Sequence, residues 1–556
     1  MKVIIETLEQ IVRDMGADAE VVLTRPDAQF GEFACNVALQ LSKQLGKNPR
    51  EIAQDIADKM TTIPEVRTVN VAGPGFINIT LTDEALYEII SQPQAKTLQG
   101  RKILVEYSDP NPFKPLHVGH LYTALVGDTM ARLIENAGAE TIRLNYSGDV
   151  GLHVARSMWA IIRYIGGESP DKLDDVPEAE RAEWLGVRYV EGTAAYEDDE
   201  AAKAEIIECN KRVYALHDAD DHESNFAKIY WTCRTWSYDY FPRLYQQLEI
   251  TPFARFIPES EVTPLGVKTV REQLLKGVYR ESDGAVVFDG EAYGLHTRVF
   301  INSAGLPTYE TKDVGLSLTK WRDYQFDQSI IITAAEQQQY MQVVLKSIEQ
   351  FAPEPALRTL HLTHGLVKLV GGVKMSSRKG NVLLALELLD ASRRAARANR
   401  ENASEDTVLA AVKYAFAKVK VGGDIVYDPS ESVALEGNSG PYLQYAHARA
   451  CSILSKAQSE KEEGSKKKEE LEQDERLLLR KLTEYKDVVE KATTDLMPHH
   501  ICNYLYELAQ EFNSFYEKNR VIGDAREATR LSLVMLYRDT LARGLALLGI
   551  AAPESM

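Results

Sequence analysis

The stretch RKILVEYSDPNPFKPLHVGHLYTALVGDTMAR, residues 101–132, decides the fold. Residues 103–107 form a short β-branched and apolar run that predicts a strand, and from Leu121 onward apolar residues recur at helical spacing. A break rich in proline and asparagine separates the two. The order strand, loop, helix is half of a βαβ unit. Because the first turn of a helix offers unpaired N–H groups and a positive dipole end, we expect phosphate to bind there.

Two histidines stand at the start of this predicted helix. His117 and His120 are three residues apart and can both point their imidazoles at a bound triphosphate, while Gly119 lets a nucleotide approach the backbone. For either histidine alone, an ordinary residue at a helix start is the favoured reading. The motif therefore needs support from another part of the chain.

A second motif, KMSSRKG, occupies residues 374–380. Its cations and hydroxyls suit the stabilisation of a departing pyrophosphate. A solvated basic turn is the alternative reading of this motif taken by itself. The candidate ATP ligands in it are Lys374, Met375, Ser376 and Ser377.

Together, HVGH and KMSSR resemble the two signatures of class I aminoacyl-tRNA synthetases. The words PNPFKPLHVGH, LPTYETKDVG and GPYLQYAHARACSIL resemble arginyl-tRNA synthetases in particular, and the resemblance extends with gaps from about residue 28 to the last residue. It implies ATP with Mg²⁺, L-arginine and tRNA(Arg) as substrates. His117, His120 and Lys374 then act on the phosphates, with no nucleophile of the enzyme and no dedicated metal site.

The resemblance implies an α/β fold: a class I synthetase nucleotide-binding (Rossmann-like) catalytic core with a connective insertion, a small N-terminal α/β domain and a C-terminal all-α helix bundle. From about residue 396 onward no strand is predicted. The predicted ranges are an N-terminal tRNA-contacting domain (1–92), the first half of the catalytic domain (93–160), the insertion (161–290), the second half of the catalytic domain (291–395), a helical linker (396–435) and an anticodon-binding domain (436–556).

The composition is compatible with such an enzyme. At 556 residues, with 44% hydrophobic and 26% charged residues, the chain is too long for one core. Five scattered cysteines argue for a reducing compartment and against structural zinc, and the lack of a signal peptide or long apolar run predicts a cytoplasmic protein without membrane contact, expected to be a monomer. The net charge of −18 disfavours nucleic acid unless a local basic track exists. The candidate track is Arg393, Arg394, Arg397 and Arg400.

A candidate arginine pocket follows from the resemblance. Tyr309 and Asp313 are four residues apart and share a helix face, while Gln337 follows a predicted buried strand at residues 329–333, where ligands of open α/β sheets gather. A guanidinium needs a carboxylate partner and an aromatic face, but spacing alone favours Asp313 as a helix-surface acid. The resemblance adds residues on the opposite edge of the pocket, namely Glu106, Ser108 and Asn111.

Three further assignments come from the resemblance. Phe76 and Asn78 in GPGFINITL are expected to stack on and hydrogen-bond a base of the tRNA corner, with core packing as the alternative for Phe76. Tyr442, Gln444, Tyr445 and Arg449 form a polar aromatic stripe suited to base stacking, although core packing is the default reading of either tyrosine.

Lys114 is expected to replace a missing cation. The second signature usually has lysine at its fourth position, where this chain has Ser377. Lys114 lies in the loop just before His117, and arginyl-tRNA synthetases that lack the signature lysine have a lysine upstream of HxGH. An exposed loop lysine of little effect is the alternative. His153 receives no assignment, and the cluster at residues 217–222 is expected to be an exposed polar turn.

Two other functions compete with this interpretation. A small-molecule adenylyltransferase also uses an HxGH loop, but such enzymes are much shorter and need no long helical C-terminal region. A tRNA-binding relative that has lost catalysis would not retain both phosphate motifs and a full arginine-pocket set. The sequence therefore favours an arginyl-tRNA synthetase.

Overall fold

The computed structural model describes residues 2–370, 383–458 and 470–556. Its N-terminal unit is a small sheet covered by helices. The antiparallel strands have the order β1-β2-β4-β3. The elements are α1 (Lys2–Asp14), β1 (Leu23–Thr24), β2 (Phe33–Cys35), α2 (Val37–Leu45), α3 (Pro49–Met60), β3 (Val66–Ala72), β4 (Phe76–Leu81) and α4 (Asp83–Ser91).

A parallel sheet forms the centre of the chain. Among the described residues its strand order is β12-β11-β5-β6-β7, and each neighbouring pair is parallel. Parallel pairing places the carboxyl ends of all strands at one edge, where ligands of such sheets bind. The first elements are β5 (Lys102–Glu106), α5 (Val118–Asn136), β6 (Glu140–Ser147) and α6 (Leu152–Tyr164).

Helices α7 (Arg181–Asp198), α8 (Glu200–Asp218) and α9 (Asn225–Gln247) follow as a helical layer. The chain then returns to the central sheet through β7 (Arg255–Pro258), which pairs with β6. The range 161–290, predicted as one insertion, thus includes an edge strand of the catalytic sheet. Only Phe256 and Ile257 are apolar in this strand, so its sequence carried no strand signal. The next elements are α10 (Glu259–Leu275) and the antiparallel strands β8 (Arg280–Ser282), β9 (Ala285–Phe288) and β10 (Arg298–Ile301).

The second half of the central unit begins with α11 (Tyr309–Tyr324) and β11 (Gln328–Ala334). A short strand, β14, pairs in parallel with β13, so the expectation that strands end before residue 396 is wrong. A strand of three residues is too short to show an alternating hydrophobic pattern in the sequence. The remaining elements are α12 (Gln338–Glu349), α13 (Pro353–Leu357), β12 (Thr359–His364), β13 (Val367–Leu369), α14 (Ala385–Asn399), α15 (Glu405–Ala417), β14 (Ile425–Tyr427) and α16 (Pro429–Ser432).

The C-terminal unit is helical and packs against the N-terminal unit, with which it shares one apolar core. Arg476 pairs with Glu32 and Asp83, which joins the two units by charge as well. No helix in the described ranges is both long enough and apolar enough to cross a bilayer. The helices are α17 (Gly440–Gln458), α18 (Gln473–Thr483), α19 (Tyr485–Asp495), α20 (His499–Lys518) and α21 (Glu527–Leu547).

Candidate active site

The start of α5 presents both histidines of the HVGH motif. His117 is the N-cap residue, and its Nδ1 accepts hydrogen bonds from the backbone N–H groups of Gly119 (3.1 Å) and His120 (3.4 Å). In return, His120 Nδ1 accepts from the backbone N–H of His117 at 3.4 Å. Each Nδ1 is therefore an acceptor, which puts the proton of the neutral ring on Nε2. The two Nε2–H groups remain available as donors.

Close packing holds this histidine pair in place. The two rings stack with centroids 3.7 Å apart and planes inclined by 20°. A Cβ on Gly119 would lie 2.9 Å from His117 Nδ1 and Cε1, so any larger residue at position 119 would displace the imidazole. Position 119 thus requires glycine because the imidazole of His117 leaves no room for a side chain there.

Both imidazoles are neutral in the unliganded site. Burial, followed by the charges of Lys114 and His364, lowers the pKa of His117 to about 4. Burial also lowers the pKa of His120 well below its usual value, with His117 adding to the effect. Desolvation disfavours the charged form of any base, and neighbouring cations act in the same direction. The electrostatic environment is therefore poised for an anion.

Lys114 lies in the same loop and is half-buried. Its Nζ stands 5.0 Å from the ring centroid of Tyr189, and no carboxylate in the described ranges is within ion-pair distance of it. Burial lowers the pKa of Lys114 to about 8, and Arg156 contributes. A half-buried cation without a counter-ion, close to His117, is what a phosphate ligand requires.

The second motif lies outside the described residues, as do the predicted ligands Lys374, Met375, Ser376 and Ser377. The chain that follows it is anchored at the histidine motif. Val118 N–H donates to Leu383 O at 2.9 Å, and Ala385 N–H donates to Leu116 O at 2.9 Å. Leu384 also forms an antiparallel bridge with His117. The residues that follow the second motif therefore lie beside the first motif.

A group of carboxylates lies next to this site at the carboxyl ends of β5 and β6. Glu106 pairs with the buried Lys320 at 2.7 Å, and Glu259 pairs with the buried Lys312 at 2.5 Å. Asp109 accepts a 2.8 Å hydrogen bond from the backbone N–H of Tyr146. With Asp313, four carboxylates face two lysines, which leaves the pocket with an excess of acidic groups. We call this group, with its two lysines, the acidic pocket.

The acidic pocket raises the pKa of its own members. Burial, opposed by a hydrogen bond from Tyr340 and aided by the charges of Glu106 and Glu259, raises the pKa of Asp313 to about 8. Burial followed by the charge of Glu106 raises the pKa of Asp109 well above its usual value. A cation placed in the pocket would favour the ionised form of both carboxyls.

The other predicted pocket residues have distinct environments. Tyr309 is 52% exposed, and its hydroxyl lies 3.4 Å from His153 Nδ1. Ser108 is buried and shares a 2.7 Å hydrogen bond with the hydroxyl of Tyr245. Gln337 is exposed just past the end of β11. A side chain on Gly148 would collide with Asn111 Oδ1 and would lie 3.3 Å from Glu259 Oε1, which places Asn111 at the acidic pocket.

Several site residues were not predicted from the sequence. His153 donates from Nε2 to Gly148 O at 2.6 Å and so presents Nδ1 as an acceptor to Tyr309. Burial, then Lys114, lowers the pKa of His153 to about 3, which keeps the ring neutral. Asp109 has φ 46°, a backbone conformation found at functional loops. Only the departure of His153 from the family pattern had drawn attention to it. Asp109, Glu259, Lys312, Lys320 and Tyr340 carried no such signal.

The candidate tRNA-contacting residues lie on separate surfaces. Phe76 is 42% exposed at the start of β4, as base stacking requires, whereas Asn78 is buried. Tyr445 is 45% exposed on α17, and Arg449 lies 4.7 Å from the ring centroid of Tyr516. Tyr442 accepts a 2.9 Å hydrogen bond from Asn513.

The candidate basic track is partly neutralised. Arg393 pairs with Asp390 at 2.7 Å and with Glu405 at 2.6 Å. Arg394, Arg397 and Arg400 are exposed, and no carboxylate in the described part of the chain pairs with them. These three cations remain available to a phosphate backbone.

The residues 217–222, expected to be an exposed polar turn, are only partly so. His217 lies 2.8 Å from the hydroxyl of Tyr230, and His222 stacks on Trp231 with centroids 4.5 Å apart. His217 is thus a packed histidine of the helical layer, while Asp220 and His222 are exposed.

Family models match three consecutive parts of the chain. The model described as "Arginyl tRNA synthetase N terminal domain" matches residues 2–81, "tRNA synthetases class I (R), catalytic domain" matches residues 83–428, and "DALR anticodon binding domain" matches residues 443–556. The catalytic model spans both the parallel sheet and the histidine motif. The fold and the site thus define a class I tRNA synthetase.

Relatives and solved structures narrow the class. The arginine–tRNA ligase of Thermobifida fusca is 30% identical, with 95% of this chain and 94% of the relative covered, and that of Phocaeicola vulgatus is 28% identical, with 96% of each covered. The structure of Thermus thermophilus arginyl-tRNA synthetase matches over 100% of both chains, with 25% identity and a TM-score of 0.80. The chain therefore belongs to the arginyl-tRNA synthetase family. This result confirms the predicted fold class and the predicted enzyme, an arginine–tRNA ligase.

Proposed function

We propose that the chain condenses L-arginine with ATP, supplied as its Mg²⁺ complex, to arginyl-adenylate and pyrophosphate. The arginine is then transferred to a hydroxyl of the terminal adenosine of tRNA(Arg). The observation that carries this proposal is the position of the acidic pocket beside the histidine pair of α5. A binding site for a cationic side chain and a binding site for phosphate thus adjoin at the carboxyl edge of one parallel sheet.

The arginine side chain would enter the acidic pocket. Lys320 neutralises Glu106 and Lys312 neutralises Glu259, which leaves Asp313 and Asp109 without a lysine partner, and Asp313 would pair with the incoming guanidinium. Tyr309 offers an exposed aromatic ring for stacking. The planar guanidinium can donate to several acceptors at once, which a lysine ammonium cannot reproduce. Gln337 would bind the arginine side chain together with Tyr309 and Asp313, while Ser108 and Asn111 would line the other edge of the pocket.

The triphosphate would lie at the start of α5. His117 and His120 each have a free Nε2–H donor, and Lys114 supplies a positive charge in the same loop. The carboxylate of arginine attacks the α-phosphorus, the bond to the β-phosphate oxygen breaks, and pyrophosphate leaves. Catalysis consists of positioning and of stabilising charge on the phosphates, because the two substrates supply both reacting groups. Lys374 and Ser377 of the second motif would assist by stabilising the departing pyrophosphate.

The transfer of arginine from the adenylate needs only the tRNA as a further reactant. A hydroxyl of the terminal adenosine attacks the activated carbonyl, and AMP leaves. Phe76 on the N-terminal unit and Tyr442, Tyr445 and Arg449 on α17 are proposed contacts for the tRNA corner and anticodon. The DALR match to residues 443–556 supports the second of these surfaces. A cytoplasmic monomer remains our expectation.

Pyrophosphate exchange with each amino acid, with and without tRNA, tests the function. We expect exchange with arginine alone among the amino acids, and only when tRNA(Arg) is present. An adenylyltransferase would need no tRNA and would accept another acid. A non-catalytic relative would bind tRNA without any exchange.

A further inference from the structure

Arg156 is a cation near the active site that the mechanism above does not use. It lies on α6, is half-buried, and its Nε is buried without a hydrogen-bond partner. No carboxylate in the described part of the chain lies within ion-pair distance of it. By contrast, Arg163, two turns further along α6, pairs with Glu205 at 3.6 Å. Arg156, like Lys114, therefore has no counter-ion among the described residues.

Helix α7 holds both cations against tyrosine rings. Tyr189 lies 5.0 Å from Lys114 Nζ, and Tyr196 lies 4.3 Å from the Arg156 guanidinium carbon. The two tyrosines are seven residues apart, so they lie two turns apart on one face of the helix. Aromatic faces attract cations without neutralising them. Both positive charges thus stay available to a ligand.

Glycines on the same face of α7 fix this arrangement. A Cβ on Gly192 would collide with the backbone carbonyl of Arg156, and a Cβ on Gly186 would lie 2.8 Å from Pro115 Cδ, next to Lys114. Helix α7 therefore approaches both α6 and the loop of Lys114 as closely as backbone contact allows. The positions of the two cations follow from this docking.

The charges of Lys114 and Arg156 act on overlapping sets of neighbours. Lys114 lowers the pKa of both His117 and His153, whereas Arg156 lowers those of His153 and Lys114. Lys114 and Arg156 are thus near each other and both near His153. Two cations that repel each other are stabilised when they share an anion, and a chain of phosphates fits a row of donors better than a single carboxylate does.

We propose that Arg156 and Lys114 form a phosphate subsite that extends the histidine motif towards Tyr196. The inference rests on the proposed function, in which the phosphates of ATP and the phosphates near the 3′ end of the tRNA are the two candidate ligands. Both ligands present phosphate oxygens to the two cations. The structure therefore assigns the kind of ligand, and an experiment must decide between ATP and tRNA.

The variant Arg156→Met tests the subsite, since methionine preserves the packing of the stem on Tyr196. Arg163→Gln is the matched control, because it removes the same charge from the same helix. If ATP is the source, the KM for ATP and the Kd of inorganic pyrophosphate rise by roughly 10- to 100-fold. If tRNA is the source, the KM for tRNA rises and its salt dependence weakens by about one phosphate contact. Arg156→Lys restores part of either loss.

Wild-type protein provides a check that needs no variant. Phenylglyoxal modifies accessible arginines, and we expect inorganic pyrophosphate or tRNA(Arg) to protect Arg156, as read by mass spectrometry of its peptide. The inference is overturned if Arg156→Met has the parent's melting temperature and unchanged constants for ATP, pyrophosphate and tRNA. Equal modification of Arg156 with and without both ligands overturns it as well. The parent enzyme's charging of tRNA with arginine is measured in parallel, so failure of the subsite is distinguishable from failure of the proposed function.

Discussion

Arginine binding should depend on pH through Asp313. Its pKa of about 8 in the empty pocket means that about one-tenth of the molecules carry the ionised side chain at pH 7 and about one-hundredth at pH 6. The guanidinium pairs with the ionised form only, so binding must release a proton. We therefore expect the KM for arginine to fall about tenfold from pH 6 to pH 7, and to level off above pH 8.

The variant Asp313→Asn separates this effect from others. It should abolish the pH dependence and raise the KM for arginine by two to three orders of magnitude, because an unpaired buried cation costs about 3–5 kcal/mol. The KM for ATP should change far less. Asp323→Asn on the same helix is the control, since Asp323 pairs with Arg255 and Arg322 away from the pocket. It should behave like the parent.

The stability of the same variant gives a second readout. The folded-state pKa of Asp313 lies above its ordinary value of 3.8, so the folded chain holds a proton that the unfolded chain releases between about pH 4 and pH 8. The stability from the protonated carboxyl is fully present below pH 4 and is lost as the pH rises through 8. The Tm of Asp313→Asn relative to the parent should therefore increase from pH 5 to pH 8.

Steady-state pyrophosphate exchange with saturating tRNA, measured from pH 6 to pH 9, tests whether the KM for arginine follows the ionisation of Asp313. A KM for arginine that stays constant over this range in the parent would refute the reasoning. So would an Asp313→Asn enzyme that keeps the parent's arginine KM. Isothermal titration in two buffers of different ionisation enthalpy gives the number of protons released directly.

Three other predictions concern the phosphate and tRNA sites. Lys114→Ala should lower the rate of arginine activation by roughly one to three powers of ten in single-turnover assays, and adding Ser377→Lys should restore part of it; an unchanged rate would end the compensation hypothesis. Gly119→Ala should displace the His117 ring and lower the activation rate about 100-fold at an unchanged Tm, whereas a normal rate would show that the ring position is unimportant. Phe76→Ala should raise the KM for tRNA with little effect on exchange at saturating tRNA; an equal loss in both would indicate a core role.

The helices and strands that are long enough to show a hydrophobic repeat could be predicted from the sequence. Strand β5 and helix α5 follow from an apolar run and a helical repeat; the structure places β5 within one residue of the predicted range and begins α5 at Val118, three residues before the repeat that starts at Leu121. Strands β7 and β14 were missed because four and three residues at the edge of a sheet cannot show a period. The predicted bounds of the domains remain predictions.

The acidic pocket was only half predictable, because sequence spacing shows which residues share a helix face but not what lies opposite. Tyr309 and Asp313 were placed by their spacing on α11. Lys312 and Lys320 on the same helix resemble ordinary surface lysines, and only tertiary structure shows them buried against Glu259 and Glu106. Long-range ion pairs of this kind leave no local signal.

These buried lysines explain how the pocket can favour a guanidinium without being permanently charged. With Glu106 and Glu259 each neutralised by a lysine, the ionisation of Asp313 and Asp109 decides the net charge of the pocket, and burial raises the pKa of both carboxyls. A neutral isostere of arginine would leave the Asp313 carboxyl protonated and would gain no charge pairing. A guanidinium instead induces the ionisation of its own partner, with Tyr340 already placed to donate to the resulting carboxylate. The site thus avoids the cost of an unpaired buried charge until the correct side chain is present.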